Sequence, residues 1–280
     1  MTKHTSTAPH ELGTRNKPAP AATNWLLIPV LSVTLLLCAC AGPQEAQSNE
    51  RRAKAIAMWQ ERCKTAGEKI HKTVDGVEGI FLMKIRPKGV NFGDQFAMDD
   101  PYGHDLGGDG YIESFLSGFY PSTPSNATTG APARHLAYRY VEALDPKEGQ
   151  RYRYTGRVEE PWQADKSYLK GYLRFVMDKA PATGLAPRYG VTYDDISTQE
   201  EREHWIAGSS LKVVDLQTNA VIAERIGYMV DRAQGSTGGF RSPWLFAADN
   251  ACPLFSSRQG ASAQLLQTEE FVEKVLKPAK

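Results

Sequence analysis

A chain of 280 residues, 41% hydrophobic and 23% charged, has the balance of an ordinary globular protein with one sizeable core or two small ones, and is too apolar to be wholly disordered. Its formal charge of +1 lacks the basic excess that binding to nucleic-acid phosphates calls for, so no nucleic-acid partner is expected.

Trp25 to Ala39, WLLIPVLSVTLLLCA, carries no charge, and Lys3, Arg15 and Lys17 precede it against Glu11 alone. A spanning helix needs about 20 apolar residues. This shorter run, with Pro29 inside it, fits the apolar region of a signal peptide; a buried core helix is the alternative. At its end, Leu37, Cys38, Ala39 and Cys40 resemble the lipobox of bacterial lipoproteins. The resemblance implies that residues 1–39 are a signal peptide, that Cys38 leaves with it, and that Cys40 becomes the acylated, palmitate-bearing mature N-terminus. Several acyl chains on one cysteine then hold the protein to the membrane. Ala41 follows, with no Asp, which in that family implies the outer membrane and a periplasm-facing domain. Loss of residues 1–39 removes three of 33 basic and one of 32 acidic side chains, leaving a formal charge of −1.

Residues 40–49, polar and small after Cys40, read as the lipidated tether, and a single α+β domain is expected over residues 50–280. From Glu50 a helix is predicted, because Ile56, Trp59, Cys63, Ala66 and Ile70 recur at helical spacing among charged neighbours. Gly79 to Pro87, GIFLMKIRP, has the apolar density and stopping proline of a strand. Tyr111 to Phe119 suits a short helix, and Pro121 to Pro132 a surface loop.

The period then changes to two. Arg134 to Glu160 reads as two strands joined by a turn at Asp145 to Gly149, Ser167 to Met177 as a strand, and Arg188 to Ile196 as another. Ser197 and Glu200 have the spacing of a capping box opening a short helix. Leu211 to Val230 forms a second hairpin candidate, turning at Gln217 to Ala220. Ser242–Pro243 and Thr268 mark two further helix starts, the last helix placing Phe271, Val272, Val275 and Leu276 on its apolar face. Adjacent hairpins with helices gathered at both ends predict an antiparallel sheet of about five to seven strands, packed by N- and C-terminal helices. Two subdomains divided at Pro121 to Pro132 are the alternative.

Besides Cys40, the mature chain keeps Cys63 and Cys252. In an oxidising periplasm that pair reads as one disulfide, with free thiols or a catalytic cysteine as alternatives.

Catalytic signatures are missing from the sequence. There is no Gly-x-Ser-x-Gly, no His-Glu-x-x-His, no phosphate-binding glycine loop and no Cys-x-x-Cys. No catalytic residue, cofactor or metal is therefore assigned. Two surfaces stand out instead. The segment around Asp99, Asp100, Asp105 and Asp109 concentrates carboxylates with His104. It supplies oxygen ligands enough for calcium, but not at the helix-loop-helix spacing; tight-turn chemistry accounts for Asp and Gly there equally well, and a partner-binding loop is the third reading. On the hairpin return, Arg151, Arg153 and Arg157 share a strand face that Arg139 can join. Such a ladder suits an acidic partner surface or an anionic head group; a solvated face balanced by Glu159 and Glu160 is the plain alternative.

Beyond the lipobox, RCKTAGEKIHKTVDGVEGIFLMKIRP (Arg62 to Pro87) and RYGVTYDDIST (Arg188 to Thr198) resemble a family of uncharacterised proteobacterial lipoproteins. That resemblance spans most of the mature chain and implies neither activity nor site residues. Lipoproteins of this size include immunity proteins that neutralise secreted antibacterial effectors, phospholipases among them. The expectation is therefore an anchored, non-enzymatic protein that binds another protein, with a structural or assembly role in the envelope as the alternative.

Overall fold

The computed structural model describes residues 42–88, 94–103, 106–120, 137–160, 173–255, 264 and 267–279. The chain divides into Met1–Gln47 and Ser48–Lys280; of the first unit only Gly42–Gln47, the start of a helix, is described. Cys40, Asp105, the Pro121–Pro132 loop and the first half of the Ser167–Met177 strand lie outside the described residues.

Helix α1 (Gly42–Cys63) begins ahead of Glu50 and takes in most of the stretch read as tether. Its apolar side seats Ala55, Met58 and Trp59 against Ile206, Tyr228 and Val230. It stops at Cys63, because Gly67 adopts a φ of 146° that favours glycine. Ile70, which its spacing placed on the helix, belongs instead to strand β1 (Gly67–Ile70). Then come β2 (Val74–Val77), β3 (Gly79–Leu82) and helix α2 (Asp109–Ser114), the last followed by a 3-10 turn, Ser117–Phe119.

The first hairpin is β4 (Tyr140–Leu144) and β5 (Arg151–Glu159), which pair antiparallel with Glu142 opposite Arg153. Strands β6 (Arg174–Pro181) and β7 (Tyr189–Asp195) follow. Helix α3 (Gln199–Glu203) opens with a capping box, but of Thr198 and Glu201 rather than Ser197 and Glu200. Ser197 Oγ is occupied elsewhere, accepting from the Gly208 amide at 2.8 Å. The second hairpin is β8 (Ile206–Asp215) and β9 (Ala220–Val230). Helix α4 (Pro243–Ala247), strand β10 (Ala251–Cys252), helix α5 (Gln267–Val275) and strand β11 (Leu276–Pro278) complete the chain.

The fold is α+β, with a sheet that is larger than expected and mixed. Nine strands run in the order β1-β9-β8-β7-β3-β4-β5-β6, with β10 also on β9. The departure from an antiparallel sheet is confined to β3, which pairs parallel to both β4 and β7. Parallel neighbours need a long crossover; residues 83–139, carrying α2, provide one. A separate parallel pair joins β11 to β2.

The main core gathers Ile80, Leu82, Val141, Val191, Tyr193, Leu211 and Val213 with Ile112 of α2, Phe115 just after it, and Phe271 and Val275 of α5. Each fully buried aliphatic or aromatic side chain here contributes about 1.5–3 kcal/mol. A smaller cluster sets Trp244 and Tyr102 against Ala207 and Met229. Cys63 and Cys252 lie at disulfide-bonding distance, their Cα atoms 5.6 Å apart, within the range such a bond requires. The bond links the end of α1 to β10. Among the described residues no helix is long and apolar enough to cross a membrane.

Candidate partner-binding surface

Strict alternation along β4 and β5 decides which side chains leave the core. Val141, Ala143 and Tyr154 point inward and are buried, so Tyr140, Glu142 and Leu144, with Arg151, Arg153 and Arg157, occupy the opposite face.

Glu142 lies on that outer face and yet has no solvent exposure. Two arginines cover it. Arg153 donates from Nε to Glu142 Oε1 at 2.9 Å, and Arg151 Nε stands 3.3 Å from Oε2, at ion-pair distance but off hydrogen-bond alignment. The Arg153 guanidinium also lies over the Tyr140 ring, 4.1 Å from its centre, a favourable cation–π placement. A carboxylate shared this way fixes both arginines on the sheet.

The ladder continues outward. Arg157 meets Asp178 at 3.3 Å and Glu159, which also accepts from Arg174; hydrogen bonds from these two arginines hold the Glu159 carboxyl below its usual range. Arg139 is paired with Glu78 at 2.9 Å. Arg151, Arg153 and Arg157 thus share the outer face, whereas Arg139, just before β4 and opposite in parity to Tyr140 and Glu142, turns to the other face, 5.7 Å from the Phe119 ring centre; all four have carboxylate partners. On the outer face Arg153 and Arg157 stay exposed enough to reach a second protein, with side-chain exposures of 42% and 51%. Met83 and Leu144 add exposed apolar area at the Arg151 end of the same face; Gly190, lacking a side chain, gives Met83 its place, since a Cβ there would lie 2.8 Å from its sulfur.

The aspartates do not come together. Asp99 is half-buried, paired with Lys84 at 2.9 Å. Asp109 is exposed, 3.7 Å from Lys88, and Asp105 lies outside the described residues. Asp100 is fully buried: its carboxylate takes Arg86 Nη1 at 2.6 Å and the Ser209 hydroxyl at 2.9 Å. Arg86, equally buried, stacks 3.9 Å from the Tyr193 ring centre. In this position Asp100 organises the core and is out of a partner's reach. Among the described residues no group of His, Cys, Asp and Glu is placed to hold a metal ion.

The acidic run around α3 is likewise spent internally. Glu201 joins the capping box and receives Arg62 of α1, Asp195 receives Arg202, and Asp194 pairs with Lys212.

Glu142 and Arg86 escaped sequence reading. A signal for Glu142 was present, as the one carboxylate in YVEAL directly opposite the arginines of the hairpin; Arg86, before Pro87, had none. No family model, curated protein or solved structure matches this chain.

Proposed function

We propose that this chain is a lipoprotein anchored through Cys40 to the outer membrane, facing the periplasm, and that it works by binding a protein. Its most specific form is an immunity protein that neutralises a secreted antibacterial effector such as a phospholipase. The lipobox at Leu37–Cys40 supports the anchoring. The sheet face of β4 and β5 is the observation that carries the binding role. Arginines held in place by Glu142, Glu159 and Asp178, beside Tyr140 and the exposed Met83 and Leu144, supply the residue types enriched where proteins bind one another. Arginines already ordered lose less conformational freedom when a partner docks. An acidic patch on the partner is the complement.

The test is capture of partners by the tagged protein from its own species, with the double variant Met83→Asp, Arg157→Glu alongside. One secreted hydrolase, held one to one, inactive while bound and released by the double variant, is the expected result. Retention of porins or peptidoglycan-linked proteins instead moves the reading to a structural or assembly role in the envelope.

A further inference from the structure

Alternation along β9 sends Ala223, Arg225, Gly227 and Met229 to the buried side of the sheet, so a guanidinium sits where an apolar side chain is the rule. Arg225 is 5% exposed. Its Nη1 donates to the Gln267 carbonyl at 2.7 Å, and its Nε has no partner. The buried carboxylate nearby, Asp100, is committed to Arg86 and Ser209. Two guanidiniums are therefore buried with one carboxylate between them, and a buried cation without a counter-charge is strongly disfavoured.

Arg225 lines a cavity of about 410 Å³ between β1, β9, α5 and the Pro253–Phe255 segment, within the range of small-ligand pockets, roughly 300–1,000 Å³. Two more polar atoms of residues that line it, the hydroxyl of Tyr102 and Oε1 of Gln267, are buried and lack partners. The Tyr102 hydroxyl reaches this spot because residue 227 is glycine: a Cβ there would stand 2.1 Å from it. Leu254, Phe255 and Phe271 make the apolar part of the wall, and Glu68, Glu270 and Lys274 its charged part. Lys274 is paired with Glu68 and Glu270 is exposed; Arg225 is the buried cation of the lining, and among the described residues it is in no ion pair.

We propose that this cavity binds a small monocarboxylate with an apolar body, its carboxylate on the edge of the Arg225 guanidinium that faces the cavity, its body along Leu254, Phe255 and Phe271. One negative charge completes the buried set, and Leu254, Phe255 and Phe271 give a short acyl or aryl chain a contact that a bare inorganic anion lacks.

The test is calorimetric titration of the full chain, purified in detergent, with hexanoate and with 3-phenylpropionate, against hexanamide as the uncharged counterpart. Saturable binding of a carboxylate, at least about tenfold tighter than hexanamide, is expected from a charge-assisted contact. Arg225→Gln should abolish the difference. Should that variant not fold, the exposed Leu254→Glu decides, since a negative charge at the mouth should weaken the carboxylate about tenfold or more and leave hexanamide unaffected. No saturable binding of either carboxylate, equal affinity for hexanoate and hexanamide, or a carboxylate affinity unmoved by Leu254→Glu would overturn the proposal.

Discussion

Arg86 and Asp100 form an ion pair that water does not reach: the two side chains are 1% and 0% exposed and 2.6 Å apart. The pair ties the segment after β3 to the aspartate segment and, through Ser209, to β8. Asp100→Asn should destabilise the protein by about 3–5 kcal/mol, because it leaves Arg86 charged and buried without its partner. Equilibrium urea unfolding measures this. A loss below about 1 kcal/mol would mean that the guanidinium finds water in the native state.

The shared carboxylate Glu142 predicts non-additivity. Arg151→Ala and Arg153→Ala each leave it one cation, whereas the double variant leaves none. Each single change should cost about 1 kcal/mol, and the double variant at least about 1 kcal/mol more than their sum. A double-mutant cycle that closes to zero would show that the two arginines act separately.

Helix α5 makes stability depend on pH in the direction opposite to ordinary acid unfolding. Burial, with Glu273 and Glu270 nearby, raises the Glu269 carboxyl to about 8, and burial with Glu270 raises Glu273 to about 7. An unfolded glutamate titrates near about 4.3. Between these values the native state holds more protons than the unfolded state, so the stabilising contribution is complete at low pH and is lost as pH rises toward the folded values. From about pH 5 to pH 8 the protein should lose on the order of 2–4 kcal/mol, and Glu269→Gln should flatten most of that slope. A stability that rises through this window, in wild type and variant alike, would contradict the burial of these carboxyls.

The pair Cys63 and Cys252 is separated by 189 residues. Closing so long a loop contributes about 5 kcal/mol in the chain-entropy model. Reduction, or the Cys63→Ser, Cys252→Ser double variant, should lower the urea midpoint with the fold retained at low denaturant. An unchanged midpoint would indicate that the unfolded chain is already compact.

Anchoring through Cys40 has a direct readout. Radiolabelled palmitate should label the wild-type protein and not Cys40→Ser, whereas Cys38→Ser should be labelled normally. Label retained in Cys40→Ser would place the anchor elsewhere.

Local patterns in the sequence were good guides where the interaction partner lies close in the chain. Both hairpins, β4–β5 and β8–β9, follow from alternation plus a turn, and Ser242–Pro243 marks α4. The capping box shows where pattern alone becomes ambiguous: Ser197 and Thr198 each have a glutamate three residues on, and the choice is made by Gly208, whose amide occupies the Ser197 hydroxyl. What was hidden depended on remote pairing. The parallel setting of β3 requires β4 and β7, segments far along the chain, and no period within GIFLMKIRP reveals them. The aspartates and arginines were visible as residue types, but whether they face water is set by the partners: Asp100 is buried by Arg86, whereas Arg153 is only partly covered above Glu142. For Arg225 the sequence holds a signal, the inward register it shares with Ala223 and Met229 of β9.

The strand order has a consequence for assembly. β1, near the start of the domain, pairs with Ala223–Ile226 of β9, and β3 depends on a neighbour about 110 residues later, Gly190–Val191 of β7. These two pairings cannot close early while the chain is still emerging from a ribosome or a translocation pore, N-terminus first. Its contact order is high, so folding should be slow and come late, after β9 is free, with β1 and the β7-facing edge of β3 unpaired in the interval. A holding chaperone that shields unpaired strands until Val230 has emerged would speed productive folding more than any local stabilisation of the first hairpin.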